Sequence, residues 1–200
     1  FGATLTVGEY IMPNIIDGLL SDESNTVIKM KVANTKELLN YINEGAIDFA
    51  LVEGYFNKLE YDFLHYCQER YVCVASSDFK LDHVDDISDL FKYNLIIREV
   101  GSGSREIIER YLGDRNLNVN DFTNLIEISN INTIKQLVKN NHGISFMYKI
   151  AVEKELDSGL LKEIDIAGLS IEHDINFVWR KNSVFIDYYQ QLFKLFFEYR

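Results

Sequence analysis

Basic residues are scarce in this chain: 20 Lys and Arg stand against 31 Asp and Glu, a formal net charge of −11. Binding to nucleic acid or to an anionic membrane surface is driven by clustered Lys and Arg, so the chain does not itself present such a surface. Long apolar runs are missing as well. IDFALV from Ile47 and NLIIR from Asn94 are far shorter than a membrane span requires, and the first residues lack the basic region and apolar stretch of a signal peptide. The expectation is a soluble, cytoplasmic protein without membrane contact.

Cysteine is nearly absent, with Cys67 and Cys73 in the adjacent strand-like segments LHYC and YVCVAS. Two thiols in such apolar surroundings are expected to be reduced and buried, standing side by side if those segments pair. His65, His83, His142 and His173 are scattered with no paired ligand spacing, so neither a metal nor a cofactor is expected. The one proline is Pro13, and no Pro/Gly-rich stretch marks a linker. What is present is apolar material, 47% of 200 residues, enough for one domain or two small lobes and too much for a disordered chain.

The apolar residues alternate between two periods. The opening reads as a strand and a polar turn leading to a helix, with Pro13 in its first turn and Ile15, Ile16, Leu19 and Leu20 on its apolar face. From Val27 to Val32 the alternation predicts a strand with Ile28, Met30 and Val32 on one side. Asn34 caps a helix with Glu37 at the capping-box position and Gly45 as terminator, and IDFALV follows as a strand. This β-α-β-α-β order implies parallel strands joined by crossovers. After two strands around the cysteines, the pattern resumes: a short helix near Leu90, a strand at NLII, and a helix after the glycine-serine turn. Then come a strand at LIEIS, a helix through INTIKQLVKNN, a strand at ISFM, a helix through IAVEKELDSG and a strand at LLKEIDI. A strand from Ile175 to Arg180 leads to a last helix whose Phe185, Tyr188, Tyr189, Leu192, Phe193, Phe196 and Phe197 form one broad face, either core or subunit interface. Two lobes are expected, 1–75 with 173–200 and 76–172, crossing near Ser76 and Glu172.

The stretch REVGSGSREIIERYL, Arg98 to Leu112, carries the most chemistry. Gly101 and Gly103 permit close approach of the backbone, and Ser102 and Ser104 can cap a helix that buries Ile107, Ile108, Tyr111 and Leu112. The amides at such a helix start suit a small anion, although the local sequence equally fits an ordinary strand-to-helix turn. It is not a P-loop, having no GK[ST] ending, and it lacks the third glycine of a dinucleotide fingerprint. Arg105 either adds charge to the anion or is a solvated residue paired with Glu106 or Glu109. One of Thr4 and Thr6, alternating on a strand end, can cap the first helix.

Taken in order along the whole chain, GATLTVGEYIMP, INEGAIDFALVEG, REVGSGSR and INTIKQLVKNNHGISFM resemble the effector-binding domain of LysR-type transcriptional regulators. The resemblance implies an α/β fold of two Rossmann-like lobes joined by two crossings, of the type 2 periplasmic-binding-protein kind, with a small anionic or carboxylate effector between the lobes. Carried across, the effector site comprises Thr4, Thr6 and Val7, with the Gly8 amide, then Gly101, Ser102, Gly103 and Ser104, and finally Asn130, Asn132 and Thr133. The chain departs from many relatives at Thr4, where serine is common, and at Val100, where proline is common. The implied protein is a homodimer or tetramer, with the helix around Ile15 and Leu19 as a contributor to its interface. It would reach DNA only through a winged helix-turn-helix domain not contained in this chain. A solute-binding protein serving a membrane permease uses the same fold and is the alternative. An enzyme is the third reading, and no Ser/His/Asp arrangement, metal spacing or nucleotide loop supports it.

Overall fold

The computed structural model describes residues 1–21 and 27–199. The chain divides into two compact units, Phe1–Gln68 with Asp174–Arg200, and Glu69–His173. The first passage between them therefore lies after Gln68, not near Ser76. No loop marks it, because one continuous 16-residue strand, β4 (Tyr61–Ser76), runs through. Cys67 and Cys73 are free and buried on that single strand. Six residues of extended chain separate them by about 20 Å, so they do not stand side by side.

In the first unit, β1 (Gly2–Ala3) pairs in parallel with β2 (Lys31–Val32) and β3 (Phe49–Val52), Gly2 lying opposite Lys31 and Ala50. The other edge of β3 pairs with β9 (Ile171–Arg180), and there the direction reverses, Phe49 opposite Trp179. The parallel order expected of the first quarter holds for β1, β2 and β3, and β9, from the end of the chain, adds an antiparallel neighbour as it enters from the second unit. The strand predicted for Val27 to Val32 shrinks to its last two residues, since β1 offers only two residues to pair with; Val32 is 46% exposed.

Helix formation starts earlier than predicted. After β1 the chain turns at once into α1 (Leu5–Tyr10), so Thr6 sits on a helix and does not alternate with Thr4 along a strand. A break at Ile11 separates α1 from α2 (Met12–Ser21), which carries Pro13 in its first turn. Ile15 is fully buried and so belongs to the core, closed to the subunit contact expected of it, whereas Leu20 is 60% exposed. In α3 (Thr35–Asn43) the predicted capping box is complete: the Asn34 side chain accepts from the Glu37 amide, and Glu37 reaches back to the Asn34 amide. Gly45, at φ +69°, ends that helix in the left-handed conformation that glycine adopts without penalty. The final helix α7 (Ile186–Glu198) buries Tyr189 and Phe196 against Phe49, Phe177 and Trp179, with Phe49 and Phe177 stacked at 4.4 Å. Its broad apolar face is only partly used as core, since Phe185, Tyr188 and Phe197 are at least half exposed.

In the second unit, β5 (Asn94–Ile97) and β6 (Asn124–Glu127) form a parallel pair, while β7 (Ser145–Tyr148) and β8 (Leu161–Ile164) pair antiparallel with β4. Hydrogen bonds from Ile96 to Ile144 and from Ile144 to Asn94 tie the first pair to the segment entering β7. Alternation along β5 splits the core: Leu95 and Ile97 face α4 (Gly103–Gly113) through Ile107, Ile108 and Leu112, and Ile96 faces α5 (Ile131–Lys139) through Ile134 and Val138. The helix predicted through IAVEKELDSG is a short 3-10 turn, Lys149–Ala151, followed by α6 (Glu153–Asp157).

Candidate functional site

Six polar residues occupy N-cap positions of helices or 3-10 turns among the described residues, and they divide into two groups. Asn34, Asp86, Asn118 and Asn130 each bond through the side chain to an amide of their own first turn. Thr4 and Ser102 do not. Both have the extended backbone of an N-cap, at φ −68° and φ −72°, yet neither hydroxyl caps its helix. A cap side chain left unused forgoes about 1 kcal/mol of helix stability. The two exceptions are hydroxyl residues placed in the effector site by the family resemblance.

The turn before α4 is built to hold Ser102 in that state. Gly101 adopts φ +93°, a conformation that side-chain-bearing residues rarely take, and Ser102 donates its amide to the Glu99 carbonyl at 3.2 Å. The Ser102 and Ser104 hydroxyls lie 3.0 Å apart and share a hydrogen bond. Because Glu106 donates to the Ser102 carbonyl, the amides of Gly103, Ser104 and Arg105 are the donors at the helix start with no partner inside the helix. Tyr71 anchors the turn from β4, its hydroxyl donating at 2.6 Å to the Ser104 carbonyl and lying 3.1 Å from that of Phe146. Ser102, Gly103 and Ser104 are all buried, while Gly101 is half-buried.

Arg105 is neither solvated nor directed outward, being 7% exposed. Its Nε donates to Glu109 at 2.6 Å, one of the two predicted partners, and its Nη1 donates to Glu127 at 2.6 Å and to the Arg98 carbonyl at 3.1 Å. Burial by itself would weaken proton binding, but the two carboxylates outweigh it and hold the guanidinium above its ordinary pKa. Arg105 therefore works as a brace between α4, β6 and the end of β5.

Asn130 and Thr133 are brought together, though mainly for each other: the Asn130 carbonyl oxygen accepts from the Thr133 amide at 2.9 Å and lies 3.1 Å from its hydroxyl. They form a satisfied cap at the start of α5, and Asn132 beside them is exposed. In the first unit Thr4, Thr6 and Val7 are buried, and the Thr4 Oγ1 has no hydrogen-bond partner. The Gly8 amide offered by the resemblance is committed to the Thr4 carbonyl at 2.7 Å.

Two residues escaped the sequence reading. Thr35, the first residue of α3, is 4% exposed with its hydroxyl unpartnered, and it sits against Gly54. Arg98, immediately after β5, is 5% exposed and paired with its neighbour Glu99. For Arg98 a signal was available, since an arginine closing the apolar run NLIIR directly before a glycine turn is out of register with a solvated face. For Thr35 there was none.

Two α/β units joined by two strand crossings, each with a hydroxyl residue at a helix start that does not cap its own helix, define a two-lobed ligand-binding domain of the type 2 periplasmic-binding-protein kind. The chain belongs to the LysR substrate binding domain family, whose model matches residues 1–197. It is 26% identical over 171 residues to an HTH-type transcriptional regulator of Methanocaldococcus jannaschii, covering 84% of this chain and 57% of that protein. The regulatory domain of Synechocystis PCC6803 CcmR in complex with 2-PG superposes with a TM-score of 0.80 at 20% identity, covering 96% of this chain and 95% of that one. The effector binding domain of QuiR in complex with shikimate gives 0.78 at 22% identity, covering 98% and 92%. The chain spans about six tenths of the length of the curated relatives it matches. Among the described residues no helix is long and apolar enough to cross a membrane, and no group of three or more His, Cys, Asp or Glu is placed to hold a metal ion.

Proposed function

We propose that this chain senses a small anionic metabolite for a DNA-binding regulator, and that the anion is received at the start of α4. The observation that carries this is the Ser102 cap: a buried hydroxyl in N-cap geometry, paired with the Ser104 hydroxyl and not with a backbone amide of α4, beside three amides at the positive end of an 11-residue helix. Related domains solved with 2-PG and with shikimate, both carrying an acidic group, support the same chemistry. In the first unit Thr4 is the corresponding donor, its hydroxyl buried and uncommitted. Thr6, Val7, Asn130, Asn132 and Thr133 complete the proposed contact set. Of these, Asn130 contributes less than the resemblance implies, because its side chain already serves α5. DNA contact would belong to a separate domain, and the working assembly would be a homodimer or tetramer, in keeping with a sensing part whose own surface is acidic. Effector binding would act by shifting a conformational equilibrium, with no chemical step.

Calorimetric titration with 2-PG, shikimate and inorganic sulfate at constant ionic strength tests this reading. Ser102→Ala should weaken binding by roughly 1.5–3 kcal/mol if its hydroxyl meets a charged group, and Gly103→Val by more, since a β-branched side chain shields the amides. Thr4→Val tests the first unit independently. Unchanged affinity in folded Ser102→Ala and Gly103→Val would return the turn to an ordinary helix start.

A further inference from the structure

A buried positive charge immediately precedes the α4 turn in the chain, with part of its hydrogen-bonding capacity unspent. Arg98 donates from Nε and from Nη2 to the two carboxylate oxygens of Glu99, at 2.8 and 3.0 Å. Its Nη1 is shielded from solvent and has no acceptor. The pair is held at the helix start by backbone: the Glu99 carbonyl accepts from the Ser102 amide, and the Arg98 carbonyl accepts from Arg105 Nη1 in the first turn of α4.

The geometry of a guanidinium makes the remaining edge informative. Its five N–H groups lie in one plane, and a carboxylate gripping the Nε and Nη2 side leaves the far end free, with both Nη1 hydrogens and the second Nη2 hydrogen. That end is a fork matched to two oxygens of one oxyanion, the pairing that lysine cannot reproduce. A buried arginine partnered by a single carboxylate is otherwise a poor arrangement, because a shielded donor without an acceptor is costly.

We propose that Arg98 reads the charge of the effector, its free fork receiving a carboxylate, sulfate or phosphate group whose other oxygens take the α4 amides. This rests on the anion site proposed above and assigns its counter-charge to Arg98, not to Arg105, whose Nε and Nη1 donors are engaged by Glu109, Glu127 and the Arg98 carbonyl and whose charge is already balanced by two carboxylates. Glu99 is then the residue that orients the fork.

The test is calorimetric titration of the chain with inorganic sulfate and inorganic phosphate, chloride balancing the ionic strength, for the parent, Ser102→Ala, Arg98→Gln and Arg98→Lys. The expected result is weakening of about tenfold or more in Arg98→Gln, with Arg98→Lys intermediate because it keeps the charge and loses the fork. Circular dichroism checks each fold, and if Arg98→Gln fails to fold then Arg98→Lys carries the test, with weaker binding still required. Parent-like affinity in the folded Arg98 variants alongside weakening in Ser102→Ala overturns the role of Arg98 and leaves the α4 site standing. Parent-like affinity in all variants, or no binding of either anion by the parent, overturns the α4 site and the inference with it.

Discussion

The starts of α4 and α5 lie in the same unit, follow parallel neighbouring strands and open with a polar N-cap, yet they are built for opposite ends. At α5 the Asn130 side chain closes on the Thr133 amide and the helix is self-sufficient. At α4 the Ser102 hydroxyl turns to Ser104, and two arginines are buried in or just before the helix start, Arg98 and Arg105. Local sequence made both look like caps. A structural cap satisfies its own helix, whereas a receptive one leaves its donors for something else, and here it is flanked by buried charge.

That comparison can be broken most forcefully at Arg105, the brace of the receptive start. Arg105→Ala removes three charge-assisted bonds from a buried position, and we expect a stability loss of about 3 kcal/mol in chemical denaturation. A loss near zero would show that α4 is positioned by its apolar face alone. A smaller effect is expected at a self-sufficient start: Asn34→Ala should cost about 1 kcal/mol and, lying in the other unit, should leave sulfate affinity at the α4 turn unchanged.

The smallest effect concerns pH. Backbone amides of Asp86 and Asp85 donate to the exposed Asp89 carboxylate and hold its pKa below the ordinary value. A depressed folded pKa means that this contribution is complete above the unfolded carboxylate value, about 3.9, and disappears as pH falls through the folded value. Asp89→Asn should therefore flatten the acid side of the stability profile slightly and leave the profile above pH ~5 parallel to the parent's. An identical acid slope in the two proteins would remove the carboxylate from this cap.

Much of the fold was legible because it rests on local rules. The Asn34 and Glu37 spacing announces a capping box, the alternation of Leu95, Ile96 and Ile97 announces a strand packed on both faces, and whole-chain order announced the family. What stayed hidden depends on partners distant in sequence. The strand at Val27 to Val32 was cut short because β1 provides only two residues to pair with, and the early start of α1 moved Thr6 from a strand to a helix. The site was half legible. Its hydroxyl and glycine residues follow from turn chemistry, but nothing in the order of residues says whether a hydroxyl caps its own helix, and an arginine is ordinarily assigned to solvent. Arg98 and Arg105 are buried because Glu99, Glu109 and Glu127 meet them there.

The cap at Ser102, which bonds to no amide of its own helix, is the place where an anion should be received. Chemical denaturation of the parent, Asn34→Ala and Ser102→Ala, each with and without inorganic sulfate at matched ionic strength, measures this directly, because binding to the folded state raises stability by mass action. The general salt effect of sulfate is common to all three proteins, so the difference isolates the site. We predict that Asn34→Ala begins about 1 kcal/mol less stable than the parent and gains the same increment from sulfate, while Ser102→Ala gains measurably less than either. An equal gain in all three would contradict the account.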